Sequence, residues 1–488
     1  MGAWVGATMH ERFRAFVFLV FVSAVSAVSL LASEPPFIEA DSQNPGSLRA
    51  RGAERPFVAV GLNYFGPHMG WAPKLWQQFD ATTIRQHLDL IKKQGFNTVR
   101  VFLTLDAFHR EPGQLHAGGV ERFREFLALC RERELYVIPA GPDHWEGVPE
   151  WRRDADAFAD EAVLAADEKW WSAFAERFKD EPGILAYDLL NEPTVQWSTQ
   201  AMRTKWNAWL SKEYGADARI AEAWGCSVDE VKVLGTVRVP SAKSALNDTR
   251  LYDYQRFRET VGEEWMARMC RAIRSRDRNH LITVGHIQWA SATYLPGLSH
   301  YAGFTRQADK KHLDFLTFHF YPLAHPTPID GMRGVETNAL YLETVLHEFS
   351  VGKPLMIGEF AWYGGGELRV DNRVVMPEQS PEEQARWCAK LLEVSEGRVC
   401  GWLHWAFADT PSSRDLTRWS GLWTEDLQLK PWGRMYGEFA RRVLTQRPAS
   451  NPFPTDLAAF EFDRKALLTS SLTGNRYLAE LAAGRKTP

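Results

Sequence analysis

The sequence predicts an α/β fold: a (β/α)8 TIM barrel with a helical insertion after strand 4. Eight short apolar segments alternate with amphipathic helical segments along the chain. The apolar segments show almost no polar alternation, which is typical of parallel strands buried on both faces. Eight such strands with helices between them favour a closed barrel. A doubly wound open sheet is the alternative, but no Gly-rich phosphate-binding turn follows the first predicted strand.

The eight predicted strands, in chain order, are Phe57–Asn63, Thr98–Leu103, Leu135–Ala140, Ile184–Leu190, Leu281–Gly285, Leu313–His319, Pro354–Ile357 and Cys400–Trp405. Between the first two, residues Thr82–Gln94 predict a helix. Ile84, Leu88 and Ile91 recur on one face of it at helical spacing. Gly95 follows as the expected C-terminal cap.

Other helices have equally specific signals. Residues Glu121–Arg133 carry a second apolar stripe at helical spacing. Ser380 is the expected N-cap of a later helix, with Pro381 in its first turn and Glu383 closing a capping box. These signals place helices between the predicted strands along the chain.

The domain organisation follows from where the barrel pattern begins and ends. We expect a signal peptide at residues 1–32, a polar linker at 33–54, the catalytic barrel at 55–446 and a C-terminal tail at 447–488. Residues Thr194–Asn279 are too long for one helix between two strands. They contain helical patterns near both ends, so we interpret them as an insertion on the catalytic face.

The N-terminus has the pattern of an export signal. Arg12 and Arg14 precede an apolar run from Ala15 to Ala32, and Val25-Ser26-Ala27 offers a small-x-small cleavage site. An uncleaved anchor is the alternative, because such a run could just span a bilayer. We expect a secreted or periplasmic protein with no other contact with a membrane.

Composition and charge exclude several classes of partner. The 57 Lys+Arg nearly balance the 61 Asp+Glu, and the net charge of −4 gives no reason to expect nucleic acid.

The 20 tryptophans are well above ordinary usage and suit sugar rings, which have apolar faces and hydroxyl rims. The five cysteines are scattered and predict small buried side chains, not a disulfide framework.

Two glutamates end predicted strands of the barrel. The fourth strand runs into Asn191-Glu192-Pro193, and the seventh into Gly358-Glu359-Phe360. Catalytic residues of such barrels lie at the C-terminal ends of strands, so both carboxyl groups are expected to reach one pocket. Retaining glycosidases need two carboxyl groups about 5–5.5 Å apart. The pair therefore predicts glycoside hydrolysis.

These motifs make the chain similar to clan A of the glycoside hydrolases, especially the cellulase-type family 5. The resemblance covers the barrel from roughly Phe57 to Phe407. It implies that Glu192 is the acid/base and Glu359 the nucleophile. It also implies that Asn191 binds the 2-hydroxyl of the sugar.

The resemblance assigns supporting roles as well. Arg100, in Thr-Val-Arg-Val of the second strand, would hold Glu359 ionised and keep its pKa low. His319 and Tyr321 match the His-x-Tyr of the sixth strand, where the tyrosine hydroxyl contacts the nucleophile. Trp405 matches the eighth-strand tryptophan that forms the floor of the sugar site, with Trp402 as a rival three residues earlier.

Further sugar contacts are expected near the ends of other strands. His144 lies where the family often has a third-strand histidine. Asn63 and Tyr64 follow the first strand, and Trp362 follows the seventh. Their polar and aromatic side chains suit a carbohydrate pocket.

The sequence therefore predicts a glycosidase that hydrolyses O-glycosyl bonds of β-linked oligo- or polysaccharides, of β-mannan or β-glucan type, and that needs no cofactor and no metal. The insertion resembles segments of family 42 β-galactosidases, which leaves an exo-acting β-galactosidase or β-mannosidase as an alternative. A non-catalytic carbohydrate-binding barrel is the alternative of another class. No HExxH or GxSxG motif supports a metal-dependent or serine hydrolase.

Overall fold

The computed structural model describes residues 34–69, 74–231, 249–288, 303–321, 335–370 and 372–446. Its β-strands are β1 (Ile38–Ala40), β2 (Leu48–Ala50), β3 (Pro56–Phe57), β4 (Ala59–Asn63), β5 (Thr98–Thr104), β6 (Tyr136–Asp143), β7 (Ala186–Asn191), β8 (Leu281–Ile287), β9 (Leu316–Phe320), β10 (Leu355–Phe360), β11 (Gly366–Val370), β12 (Arg373–Gln379) and β13 (Gly401–His404). The predicted signal peptide, residues 1–32, and the predicted tail, residues 447–488, lie outside the described residues.

The α-helices of the same residues are α1 (Ala81–Lys93), α2 (Leu105–Phe108), α3 (Ala117–Arg131), α4 (Glu161–Phe178), α5 (Gln200–Tyr214), α6 (Asp217–Trp224), α7 (Val228–Val231), α8 (Thr249–Arg274), α9 (Arg306–His312), α10 (Val335–Phe349), α11 (Pro381–Ser395) and α12 (Pro431–Thr445). Two 3-10 turns occupy Glu150–Arg152 and Leu416–Arg418. In this part of the chain no helix is long and apolar enough to cross a bilayer.

Eight parallel strands close into a barrel in the order β10-β13-β4-β5-β6-β7-β8-β9. Each of the eight predicted strands overlaps one barrel strand, so the predicted (β/α)8 TIM barrel is confirmed. The apolar runs are buried on both faces because the barrel interior covers one face and the outer helices cover the other. The caps also match, since Ser380 Oγ accepts the backbone N–H of Glu383 at 3.1 Å.

The predicted linker at 33–54 is not an unstructured connection. It contains β1 and β2, which form a three-stranded antiparallel sheet with β3. Ile38 and Leu48 are fully buried among residues from the first halves of the barrel strands, such as Leu281 and Phe315. The physical reason is that the N-terminal end of a barrel exposes apolar side chains unless another element covers them.

The predicted insertion divides into two parts. Helices α5, α6 and α7 form the added segment, and α8 packs on the barrel helix α4. Arg268 of α8 lies 2.6 Å from a carboxylate oxygen of Glu161 and 2.8 Å from one of Glu168, both in α4. Because α8 occupies the position of an outer barrel helix, only the segment before it is additional to the fold.

The five cysteines are free thiols, four of them buried and Cys226 half-buried. This agrees with their interpretation as small apolar side chains.

Candidate active site

The two strand-end glutamates meet at the C-terminal end of the barrel. Glu192 directly follows β7, and Glu359 lies in β10. A carboxylate oxygen of each and a ring nitrogen of His319 all lie within 4.8 Å of one another. Register explains the third member, because Glu359 pairs with His319 across the ladder between β10 and β9. The barrel therefore assembles two carboxyl groups and an imidazole from distant parts of the sequence.

Glu359 is buried, with 3% of its surface exposed, and its two oxygens have different partners. Oε1 accepts a hydrogen bond from a guanidinium nitrogen of Arg100 at 2.7 Å. Oε2 accepts the Tyr321 hydroxyl at 2.5 Å and lies 3.5 Å from Nδ1 of His319. Charge-assisted hydrogen bonds of this kind are short and fix the acceptor in place. The carboxylate is thus oriented by two donors.

Arg100 is 1% exposed and all of its charge is compensated inside the barrel. Besides Glu359, its guanidinium donates to Asp188 Oδ2 at 3.0 and 2.8 Å. It also donates to Asn63 Oδ1 at 2.9 Å and to Asn191 Oδ1 at 3.0 Å. A buried guanidinium is stable only with this degree of pairing.

The expectation of a low pKa for Glu359 needs correction. Burial raises the pKa of this carboxyl group, and the Arg100 charge and the Tyr321 hydrogen bond offset only part of the rise. Because Glu359 itself is closed to water, desolvation of its carboxylate outweighs the attraction of the guanidinium. Arg100 still favours the ionised form of Glu359 over that of Glu192, the other glutamate of the site.

Glu192 has a different environment. Its Oε1 lies 2.7 Å from Nδ1 of His319, and 28% of its side chain is exposed. Burial raises its pKa to about 8, with the Arg100 charge opposing the rise and the Asp143 charge adding to it. No guanidinium contacts this carboxyl group in the part of the chain described. At neutral pH Glu192 is therefore protonated.

The backbone at Glu192 is also unusual. Its φ of 44° is in the left-handed region, which costs a non-glycine residue about 1–3 kcal/mol and is common at active sites. The N–H of Glu192 donates to the carbonyl of Gly285 at 2.8 Å, which holds this conformation.

His319 is a neutral ring in this site. It is fully buried, and burial lowers its pKa to about 4. A neutral imidazole adds no charge between the carboxyl groups and holds Glu192 by a hydrogen bond. Glu192, His319 and Glu359 are the group of described residues close enough to offer three metal ligands. The Arg100 charge beside Glu359 disfavours a cation there.

Trp405 lies beside this centre and Trp402 does not. The Trp405 ring packs 5.8 Å from Phe102, whose own ring lies 4.9 Å from the Arg100 guanidinium. Its indole N–H donates to Thr417 at 2.9 Å. Trp402 is fully buried and faces the outer helices, where its N–H donates to Ser395 of α11 at 2.7 Å.

Three of the residues predicted to contact sugar are buried and bind other protein groups in this structure. Asn63 is fully buried, with its amide oxygen on Arg100 and its amide nitrogen 3.0 Å from the carbonyl of Gly358. Tyr64 is fully buried and bonds His87 at 3.0 Å. Trp362 is 4% exposed and stacks on Trp387 of α11 at 4.5 Å. All three side chains pack inside the protein around the site, because protein groups cover them.

His144 and Asn191 each have a polar side-chain group that remains accessible to a ligand. The side chain of His144 is 72% exposed and lies 3.1 Å from Asp143, which helps raise its pKa. Asn191 is half-buried, and its oxygen is bound to Arg100. Its amide nitrogen is the group left to contact a hydroxyl.

Sequence reasoning missed three residues of the site. Asp188 binds Arg100, Gln288 holds the backbone of Tyr321 with both atoms of its amide, and the Trp145 ring lies 5.7 Å from Trp405. Asp188 had a signal, because an acid inside an apolar strand needs a buried cation. The other two lie beyond strand ends, where loop geometry decides contacts.

Two family models match the chain. The model for β-galactosidase, Glyco_hydro_42, matches residues 152–388, which include both Glu192 and Glu359. The model for cellulase, glycosyl hydrolase family 5, matches residues 53–232, which include Arg100 and Glu192. Each covers less than half of the chain.

Two curated relatives match over about 180 residues each. Endoglucanase A of Clostridium longisporum is 24% identical over 182 residues, 35% of this chain and 33% of the relative. Beta-galactosidase YesZ of Bacillus subtilis (strain 168) is 24% identical over 179 residues, 32% of this chain and 26% of the relative. The matched segments thus span about a third of the length of these relatives or less.

Solved structures share the fold across most of the chain. The exo-beta-1,4-mannosidase Op5Man5 from Opitutaceae bacterium strain TAV5 has a TM-score of 0.57 at 21% identity, covering 82% of this chain and 61% of that one. A variant of GH5_18 from Streptomyces cattleya in complex with Manb1-4GlcNAc has a TM-score of 0.60 at 19% identity, covering 88% and 92%. The beta-galactosidase from Halorubrum lacusprofundi has a TM-score of 0.61 at 15% identity, covering 86% and 62%. The chain is therefore similar in parts to family 42 and family 5 glycoside hydrolases, and it shares the barrel fold of these solved structures.

Proposed function

We propose that this chain is a retaining β-glycoside hydrolase with Glu192 as the acid/base and Glu359 as the nucleophile. One observation carries the proposal: two carboxyl groups with unlike surroundings face each other at the C-terminal end of a barrel, with one oxygen of each within 4.8 Å of the other. Protonated Glu192 can donate, and ionised Glu359 can attack. Unequal carboxyl groups of this kind provide an acid and a nucleophile in one site.

The short separation favours retention over inversion. An inverting enzyme needs room for a water molecule and keeps its carboxyl groups about 6.5–9.5 Å apart, whereas a retaining enzyme keeps them at about 5–5.5 Å. Here one oxygen of Glu192 lies within 4.8 Å of one oxygen of Glu359, which supports the shorter spacing. Direct attack by Glu359 on the anomeric carbon is the reaction that this spacing supports.

The reaction has two steps. In the first, the bond from the anomeric carbon to the leaving oxygen breaks, that oxygen takes the Glu192 proton, and a Glu359 oxygen bonds the carbon. In the second, Glu192 takes a proton from water, the water oxygen bonds the anomeric carbon, and the bond to Glu359 breaks. The charge of Glu359 is absent in between, so the pKa of Glu192 falls and it can act as a base.

The substrate proposed is a β-linked oligo- or polysaccharide of β-mannan or β-glucan type. The similarity to an endoglucanase and to structures of a mannosidase and of GH5_18 with Manb1-4GlcNAc supports this class. Glu192 is followed by Pro193, as in the cellulase-type sequences that the chain resembles.

An exo-acting β-galactosidase or β-mannosidase is the second candidate. The family 42 match is the observation that favours it, because this match includes both glutamates and the insertion helices α5 to α7. An added segment after the fourth strand could close one end of a cleft and favour removal of terminal sugars.

Turnover of a panel of aryl β-glycosides tests the proposal. We expect the wild type to hydrolyse at least one gluco-, manno- or galactoside, and Glu359→Ala to fall to the rate of a buffer blank. Glu132→Ala, an exposed glutamate beyond helix α3, is the matched control and should keep wild-type activity. A wild type with no turnover that still binds oligosaccharides would favour the non-catalytic binding barrel.

A further inference from the structure

A buried carboxylate beside the pair has no role in the two steps above. Asp188 lies in β7 and is fully buried. Its Oδ2 accepts two hydrogen bonds from Arg100, at 3.0 and 2.8 Å. Its Oδ1 accepts the N–H of Gly285 at 2.8 Å. The carbonyl of Gly285 in turn accepts the N–H of Glu192 at 2.8 Å.

We propose that Asp188 is a positioning residue that fixes both catalytic carboxyl groups at once. One of its oxygens orients Arg100, which holds Glu359, and the other orients Gly285, which holds the backbone of Glu192. This inference rests on the proposed function, because it assigns Asp188 a part in that reaction. Asp188 itself touches neither glutamate through a hydrogen bond among the described contacts.

The side chains around Gly285 are closely packed. A Cβ atom built at Gly285 would lie 2.9 Å from Nε2 of His319 and 3.0 Å from both Arg100 and Asp188 Oδ2. The glycine backbone therefore fills the space between the groups, and no side chain fits there. Asp188 satisfies its charge through Arg100 and the Gly285 N–H.

The shared guanidinium gives Asp188 an electrostatic effect as well. Arg100 divides its donors between two carboxylates, with Nη1 on Glu359 and both Nε and Nη2 on Asp188. Without the Asp188 charge, Glu359 would be the remaining carboxylate on this cation. Ionised Glu359 would then be stabilised further, and its pKa would fall.

The variant Asp188→Asn tests this role, since it keeps the size of the side chain and removes its charge. We measure kcat, KM and the pH profile of kcat/KM with an aryl β-glycoside that has a good leaving group. We expect kcat to fall about 10- to 100-fold through misplacement of the two carboxyl groups. We also expect the acid limb, which reports ionisation of Glu359, to move to lower pH.

A merely structural role would lower kcat without moving the acid limb, so an unmoved limb overturns the inference. Asp277→Asn is the matched control. Asp277 is equally buried and binds the Tyr187 hydroxyl at 2.8 Å, in a cluster with His280 that has no contact with Arg100. This control should keep the acid limb of the wild type.

If Asp188→Asn does not fold, Asp188→Glu carries the test. It keeps the charge and lengthens the side chain by one methylene group, so we expect the acid limb to stay in place while kcat falls. Wild-type kcat in Asp188→Glu would overturn the positioning role. A wild type without glycosidase activity refutes the proposed function, whereas an active wild type with unaffected Asp188 variants refutes this inference alone.

Discussion

Glu192 and Glu359 differ in what their oxygens contact. Glu359 has a cation and a hydroxyl donor at 2.7 and 2.5 Å, and Glu192 has a neutral imidazole at 2.7 Å. Both carboxyl groups are desolvated, so these contacts decide where the proton lies. The assignment of Glu192 as the acid and Glu359 as the nucleophile depends on this difference.

The first prediction concerns the basic limb of the pH profile. The pKa of Glu192 is raised to about 8 by burial, so Glu192 is protonated below that pH and activity should fall as pH rises through about 8. In Glu192→Gln, assayed with a good leaving group, the basic limb should vanish because that leaving group needs no proton. Retention of the basic limb in this variant would contradict the assignment.

The second prediction concerns Tyr321. Removing its hydroxyl in Tyr321→Phe takes a hydrogen bond from the Glu359 carboxylate, and we expect a loss of about 10- to 100-fold in kcat/KM. That hydrogen bond lowers the pKa of Glu359 against the rise that burial causes, so the acid limb should move to higher pH. Tyr363→Phe, whose hydroxyl binds the carbonyl of Pro377 at 2.7 Å, is the control. An acid limb unmoved in Tyr321→Phe would show that the hydroxyl does not influence Glu359.

Sequence reasoning placed the two glutamates, His319 and Tyr321 at strand ends and Arg100 within the second strand, and the structure brings them together. It did not predict that the side-chain amide of Asn63 binds Arg100 and the carbonyl of Gly358. Nor did it predict that Asp188 binds the Arg100 guanidinium as well. A strand pattern gives the face on which a residue lies. It does not give the partner across the barrel, because the partner depends on register between strands.

At the scale of elements, apolar runs without alternation were sufficient to locate every barrel strand. One boundary error fell at Phe57, which was predicted to begin the first strand and lies in the separate strand β3. Short antiparallel strands such as β1 and β2 have only three residues each, too few to show a periodic pattern. Their burial is decided by the barrel end that they cover.

The third prediction concerns the loops after β10 and β13, which the buried side chain of Lys430 joins. Lys430 is 4% exposed and donates to Asp409 at 2.9 Å and to the carbonyls of Gly364 and Trp419 at 2.8 Å each. In Lys430→Met the carboxylate stays buried without its cation. We expect the free energy of unfolding to fall by about 3–5 kcal/mol, measured in urea at pH 7.

The control for this pair is Arg442→Gln, which breaks a more exposed ion pair with Glu396 and should cost about 1 kcal/mol or less. Burial raises the pKa of Asp409 to about 6, against the opposing charge of Lys430. Below that pH the carboxyl group is neutral, so the deficit of Lys430→Met should shrink. Equal losses in both variants would show that the buried pair does not stabilise these loops.

At the scale of the whole molecule, the fourth prediction is export. We propose that the chain is secreted or periplasmic, from the basic residues Arg12 and Arg14 and the apolar run that follows. After expression in an exporting bacterium, the N-terminal peptide of the protein should begin between Val28 and Ser33, as read by mass spectrometry. A chain of full mass in the membrane fraction would show an uncleaved anchor.

The central claim is that Glu359 forms a covalent glycosyl-enzyme. We would incubate the wild type with the 2,4-dinitrophenyl 2-deoxy-2-fluoro-β-glycoside of the sugar that is turned over fastest, and then map the label by peptide mass spectrometry. A good leaving group lets the intermediate form, and the fluorine slows its hydrolysis. The account predicts one sugar on Glu359. A label on another residue, or none in an enzyme that hydrolyses the parent glycoside with inversion, would contradict it.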